Sequence, residues 1–208
     1  RDLYQNGIIR VNGCAKAIRI LNRYKQLAAS YQIKTITAIG TQVFRIAQNS
    51  RQIIREISDR TALHIEILTE EEEAKWSFTG AKHGKTVDEP SVVADVGGGS
   101  TEIALGRQNR IEYWKSIGTG AVILSEKHIH HDPPLEEEIF EANRDIDSKL
   151  DSLQTMLQKG RSLIAVGGTA TTLAALDLDL EQYSGNRVDG HRLTLSKINL
   201  YIDYFTKS

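Results

Sequence analysis

The chain has 208 residues, of which 40% are hydrophobic and 25% charged, enough apolar content to fill one large core or two small ones and too much for a disordered chain. Lys and Arg number 26 against 27 Asp and Glu, a net charge of −1, so no overall basic field draws it to nucleic acid or to an acidic membrane. No apolar run approaches the about 18–20 residues of a spanning helix, and the single cysteine, Cys14, excludes an internal disulfide framework and a multi-cysteine zinc site.

Arg1–Gln5 carries no apolar signal core, and with one cysteine the expected setting is reducing and cytoplasmic. Cys14, Ala17, Ile18, Leu21, Tyr24 and Ala28 recur at helical spacing and predict an amphipathic helix over 14–28. Residues 33–39 alternate and are β-branched, which predicts a strand. Gly40-Thr41 then turns into a helix with Val43, Phe44, Ile46 and Ala47, and Ile53, Ile54 and Ile57 continue helically to about Asp59. A second strand is expected at 64–68. Thr69-Glu70-Glu71-Glu72 has the form of a capping box opening a helix over 70–82, and acidic residues suit that positive helix end.

Gly84 to Pro90 reads as a polar connection. Strands are expected at 91–96, 101–105 and 111–117, the first two joined by Gly97-Gly98-Gly99. Helices follow at about 119–130 and 135–158, separated by Pro133-Pro134. Ser162–Val166 is a buried strand that runs through Gly167-Gly168-Thr169 into a helix, and a last helix covers 196–206. Strands alternating with helices across glycine-rich switches indicate an α/β architecture.

Four segments carry chemistry. In Asp95-Val96-Gly97-Gly98-Gly99-Ser100-Thr101-Glu102, three glycines free the backbone to approach a ligand, and successive N–H groups can form an anion-binding nest. Asp95 and Glu102 flank the nest, where a hard cation such as Mg²⁺ or a water needs holding. The plain alternative is a glycine-rich hairpin without ligand. In the second segment, Gly167-Gly168-Thr169 opens a helix after a strand. That is either a phosphate site at a helix N-terminus or a tight packing turn. Third, Arg45 lies one turn into its helix and can reach over the preceding strand's end with a guanidinium fork suited to phosphate; the alternative is an ordinary surface arginine. Fourth, one of Glu70–Glu73 can turn inward to act on a water, or all four are a solvated first turn. His128-Ile129-His130-His131-Asp132 lacks i, i+4 ligand spacing and is expected to be a solvated loop.

Together these segments resemble the Ppx/GppA family of exopolyphosphatases and guanosine pentaphosphate phosphohydrolases. Gly40–Asn49 is similar to its Ala-Thr-x-x-x-Arg-x-Ala-x-Asn segment and Ile67–Ala74 to its Ile-Ser-Gly-x-Glu-Glu-Ala segment. Asp95–Glu102 nearly copies its Asp-Ile-Gly-Gly-Gly-Ser-Thr-Glu motif, and Gly167–Thr169 resembles its second phosphate loop. The intervals Arg45 to Glu73 and Glu73 to Glu102 need no gaps. The resemblance implies an actin-like (ribonuclease H-like) fold of two lobes, here 1–77 and 78–208, with substrate in the cleft between them. It implies release of terminal phosphate from polyphosphate or guanosine pentaphosphate, of the kind used in the stringent response.

On the same basis Glu73 and Glu102 are the catalytic carboxylates, expected to face each other across that cleft, with Glu72 the second choice for the base. Arg45, Gly97, Gly98, Gly99, Ser100, Thr101, Gly167, Gly168 and Thr169 bind phosphate, with Arg45 directed at the glycine loop, and Asp95 and Glu102 hold Mg²⁺ or another divalent cation. Neither nucleic acid nor membrane is an expected partner, and a homodimer is. The chain departs from the family pattern in four places. Nothing before Arg10 matches the family's first phosphate loop, closing helices after Ser208 are not seen, Thr69-Glu70 replaces Ser-Gly, and Asp189 replaces the histidine of a Val-His-Gly turn, with His191 nearby. The expectation is a piece truncated at the N-terminus and at the C-terminus. Two other classes stay open, an actin-like kinase or ATPase and a non-catalytic sensor of phosphorylated guanosine nucleotides.

Overall fold

In the computed structural model, which describes residues 6–83, 89–159 and 162–207, the first amphipathic pattern forms helix α1, Val11–Ser30, longer at both ends than its apolar spacing. Its buried positions are Cys14 and Ile18. They pack against Ile53 and Ile57 of helix α3, Ser50–Thr61, and against Ala38, Leu63 and Ile65, forming the core of a compact unit of residues 1–73. Strands β1, Ala38–Gly40, and β2, Ile65–Ile67, pair in parallel with Ala38 opposite Ile65 and Gly40 opposite Ile67. The strand expected over 33–39 is therefore corrected to three residues. Alternation and β-branching favour an extended chain, but a ladder also needs a partner, and β2 offers only three residues. Helix α2, Gln42–Ile46, follows β1 and ends at Ala47, whose ψ of 126° is extended, so the helical continuation is interrupted before α3 begins.

Helix α4, Glu70–Lys82, has the expected limits. The Thr69 amide donates to Glu72 Oε2 at 2.8 Å, and the Glu72 amide donates to Thr69 Oγ1 at 3.2 Å, so the capping box forms as read. The connection expected at 84–90 lies outside the described residues except for Glu89 and Pro90.

The second compact unit, residues 74–208, is built on a four-stranded sheet. Its strands are β3, Ser91–Val96, β4, Thr101–Arg107, β5, Arg110–Ile117, and β6, Ser162–Val166, in the order β5-β4-β3-β6. β3 is antiparallel to β4 and parallel to β6. Alternate side chains leave opposite faces. On one face Val93 and Ala104 pack on Phe78 of α4, which is fully buried. On the other, Val92, Ile103, Leu105 and Ile117 pack on Leu153 and Met156.

The helices on that second face are not the single stretch expected at 135–158. Helix α6, Glu136–Leu150, gives way to a 3-10 turn, Asp151–Leu153, and then to the short helix α7, Gln154–Leu157. The tighter turn rotates Leu153 and Met156 into the core. Helix α5, Ala121–His128, precedes them; α8, Gly168–Asp177, follows β6; a one-turn helix α9, Gly185–Val188, and α10, Leu195–Lys207, complete the chain. Among the described residues no helix is long and apolar enough to cross a membrane.

Candidate functional site

In the first unit, α2 carries Arg45 towards the end of β2. Its Nη1 donates to the Leu68 carbonyl at 2.8 Å and to Glu73 Oε2 at 2.7 Å. Both side chains are only 16% exposed, so the pair is largely withdrawn from water. Nη2 of the same guanidinium is buried with no hydrogen-bond partner. An unsatisfied charged donor in such a place costs about 1–3 kcal/mol or more, and an anion arriving there would remove that cost. Arg45 is thus not the ordinary surface arginine of the alternative reading. The four glutamates also separate: Glu72 accepts from the Thr69 amide and hydroxyl as the cap, whereas Glu73 turns to Arg45.

In the second unit, the parallel strands β3 and β6 end side by side, and each runs into a glycine turn. Ligands of open α/β sheets bind at such carboxyl ends. Asp95 is in register with Val166, and a Cβ on Gly167 would lie 2.8 Å from both Asp95 Oδ1 and the Val96 carbonyl, so the two expected phosphate loops adjoin. Gly167 has φ +89° and ψ 175°, a conformation open almost only to glycine, and its turn opens α8 without a side-chain cap. First-turn amides of α8 thus face outward at the positive end of the helix.

Asp95 stands opposite Glu102 across the β3–β4 ladder, and Glu102 opposite Ser116 across β4–β5, so all three share one face. Ser77 Oγ donates to Asp95 Oδ2 at 2.5 Å, and Ser116 Oγ donates to Glu102 Oε1 at 3.0 Å. Glu102 is 3% exposed. A buried carboxylate facing a second carboxylate is a costly arrangement that a hard cation relieves. No group of three or more His, Cys, Asp or Glu suited to a metal occurs among the described residues. Two carboxylates fit Mg²⁺, which usually takes one or two from the protein and completes its shell with water and substrate phosphates.

The glycine loop has internal bonds of its own. The Gly97 amide donates to the Ser100 carbonyl at 3.0 Å, and the Thr101 hydroxyl donates to the Thr119 carbonyl at 2.8 Å. Among the described residues, no backbone bond takes the amides of Gly98, Gly99 or Ser100, which leaves them as the loop's candidate donors. The first amides of α5 hold the loop from below: Ala121 N–H donates to Gly97 O at 3.0 Å and Val122 N–H to Gly98 O at 2.9 Å. A Cβ on Gly120 would meet Gly97 O at 2.5 Å, which is why this brace can come so close.

Lys149 of α6 donates to Thr119 Oγ1 and pairs with Asp145 Oδ1 at 3.0 Å. Sequence reading missed Ser77, Ser116, Thr119 and Lys149; Gly118-Thr119-Gly120 was the one local signal of a tight turn here.

Residues 130–132 of the histidine run are exposed and outside any helix or strand, as expected of a solvated loop, but His128 closes α5 and is largely buried. His128 Nε2 lies 3.0 Å from Asp145 Oδ2 with its side chain 12% exposed, and His131 Nδ1 lies 2.9 Å from Glu138 Oε1. His128, then Lys127, holds the Asp145 carboxyl well below the usual carboxylate range. His131 likewise lowers Glu138 to about 2. His191 lies 2.8 Å from Asp177 Oδ2, which ties it into the packing of α8.

The Ppx/GppA phosphatase family model matches residues 1–208. The chain is 27% identical over its whole length to the Bifunctional 3-dehydroquinate synthase/phosphatase of Fusobacterium nucleatum, covering 32% of that protein. It is 31% identical to Exopolyphosphatase 2 of Mycobacterium tuberculosis over 81% of the chain and 55% of the relative. Among solved structures, the Aquifex aeolicus Ppx/GppA family member superposes on all of the chain with TM-score 0.81 at 26% identity, and 67% of that chain is covered. An exopolyphosphatase-like protein gives TM-score 0.90 at 29% identity over 98% of this chain and 65% of its own. The chain thus spans between a third and about half of these curated relatives and about two thirds of the solved chains. The fold is actin-like, and the chain belongs to the Ppx/GppA phosphatase family.

Proposed function

We propose that this chain removes the terminal phosphate from inorganic polyphosphate by attack of water on the end phosphorus. The observation that carries the reading is Arg45, whose Nη1 is fixed by Leu68 and Glu73 while its buried Nη2 is left without a partner. A guanidinium held in that way is preorganised for one more acceptor, and a phosphate oxygen is the acceptor it suits best. The relatives called exopolyphosphatase favour polyphosphate over guanosine pentaphosphate.

Such a reaction depends on positioning and charge neutralisation more than on covalent help. In the proposed mechanism Arg45 Nη2 binds a terminal phosphate oxygen. The amides of Gly98 and Gly99, with those of Gly168 and Thr169, bind further phosphate oxygens. Glu73 accepts the proton of the attacking water. The new bond joins that water's oxygen to the terminal phosphorus; the bridging P–O bond breaks, and the shortened chain leaves with its electrons. Asp95 and Glu102 are the proposed ligands of Mg²⁺, held in aim by Ser77 and Ser116. When bound, the cation supplies neutralisation of charge on the phosphate oxygens.

The test is phosphate release from polyphosphate and from guanosine pentaphosphate, each with Mg²⁺, by wild type, Arg45→Ala and Glu73→Gln. Polyphosphate is expected to be the better substrate. Arg45→Ala should raise KM about ten- to hundredfold, the worth of one charge-assisted contact. Glu73→Gln should lower kcat about 10²–10⁴-fold, the usual share of a general base. An unchanged KM for Arg45→Ala, or full kcat for Glu73→Gln, would remove the assignment, and faster release from guanosine pentaphosphate would reverse the substrate.

A further inference from the structure

We propose that the first unit carries a second anion site on α3, which takes a chain of linked phosphoryl groups. An open surface depression of about 840 Å³ lies along the first turns of α3, next to Ile8. None of its lining residues belongs to the Arg45–Glu73 pair or to the glycine loops. Its basic wall is Arg51 and Arg55, exposed and one helical turn apart, and neither forms an ion pair among the described residues.

These two arginines break the local rules of a helix start. Like charges at i, i+4 repel, and a cation in the first turn opposes the positive end of the helix dipole. The first turn of α3 contains no acidic residue. The N-cap residue, Asn49, does not cap; its amide group is spent on both backbone groups of Ile9, at 2.9 and 2.8 Å. Helix α4 of the same chain follows the opposite pattern, with four glutamates in the first turn and a complete capping box. Local rules broken with no gain to the fold are expected where a group binds. An anion among Arg51, Arg55 and the amide donors of Gln48 and Gln52 relieves both repulsions at once.

The acidic residues of the depression do not serve that purpose. Glu56 is engaged by Arg60 at 3.9 Å and by the buried Cys14 thiol. Asp59 lies one turn beyond Arg55 without pairing to it, and so bounds the anion to the first two turns. The two arginines spring from positions about 6 Å apart along the helix axis, and two forks, each able to hold two oxygens, suit a chain of linked phosphoryl groups better than a single phosphate.

Calorimetric titration with inorganic tripolyphosphate in cation-free buffer tests the site in wild type, Arg51→Gln/Arg55→Gln and Arg45→Gln. Wild type is expected to bind in two classes. The double variant should lose one of them, weakened about tenfold or more, and keep the other, while Arg45→Gln does the reverse. Both arginines are exposed, so without ligand the double variant should melt no lower than wild type, yet it should lose part of the rise in Tm that tripolyphosphate gives wild type. Restoring charge without the fork, as Arg51→Lys/Arg55→Lys, should recover part of the affinity. No binding by wild type, a single class that follows Arg45 alone, or unchanged binding by the double variant each overturns the site. Equal affinity of the site for citrate would overturn its assignment to a phosphate chain.

Discussion

Gly167 and Gly168 are chemically identical neighbours with opposite constraints. At Gly167 the backbone occupies φ +89°, and an added Cβ would press on Asp95 Oδ1 and the Val96 carbonyl, each at 2.8 Å. At Gly168, the first residue of α8, a Cβ meets nothing within 4 Å. Gly167→Ala should therefore cost about 1–3 kcal/mol through the strained conformation alone. That corresponds to a fall in Tm of roughly 2–4 °C per kcal/mol for a chain of this size. It should also displace the Asp95 carboxylate and raise the Mg²⁺ concentration needed for half-maximal activity. Gly168→Ala should be neutral or stabilising by up to about 1 kcal/mol, because alanine loses less entropy in a helix. Thermal unfolding and a Mg²⁺ titration of both variants check this; equal effects at the two positions would show that the close approach of Gly167 to Asp95 matters little.

At the scale of elements, the glycine loop depends on parts remote in sequence. Lys149 of α6 reaches Thr119, 30 residues earlier, and the Thr119 carbonyl accepts the hydrogen bond of the Thr101 hydroxyl. Lys149 is 31% exposed, so Lys149→Met should cost at most about 1 kcal/mol of stability while raising KM for polyphosphate severalfold through a slackened loop. Lys149→Arg should retain the wild-type KM. A wild-type KM in Lys149→Met would return this lysine to the role of a surface ion pair with Asp145.

Such a brace leaves no periodic trace, whereas features fixed by neighbours were legible. The capping box of Thr69 and Glu72, the limits of α4, and the strand–glycine–strand run around Gly97–Gly99 all follow from local spacing. The over-long strand at 33–39 failed because pairing depends on a partner's length. The four-residue helix Gly185–Val188 is too short to show a helical period. Of the site, Arg45 and the carboxylates could be read from residue type and motif, but the preference of Arg45 for Glu73 over Glu72, and the hydroxyls of Ser77 and Ser116, depend on register and packing.

For the whole molecule, near balance of 26 basic and 27 acidic residues leaves little net charge at pH 7, so near neutrality pH acts through particular pairs. One such set surrounds Asp177 at the end of α8. Lys197 Nζ lies 2.7 Å from Oδ1, His191 Nε2 lies 2.8 Å from Oδ2, and the Tyr201 hydroxyl donates to Oδ1 at 3.0 Å. One carboxylate thus joins α8 to the segment before α10 and to two turns of α10 itself. Lys197, then His191, lowers Asp177 to about 2. A carboxyl depressed on folding adds stability that is complete above its unfolded value of about 4 and is lost as pH falls towards 2. Asp177 in turn raises Lys197 above its ordinary 10.5, while burial and then Asp177 raise Tyr201. Groups raised on folding add stability that is complete below their ordinary values and is lost as pH climbs past the folded ones. Asp177→Asn should accordingly lower the denaturant midpoint most on the plateau between about pH 4 and 10. The gap to wild type should narrow towards pH 2 and again above pH 10.5. Urea midpoints measured for both proteins from pH 2 to 11 test this, and a gap independent of pH would mean that Asp177 acts through packing and not through its charge.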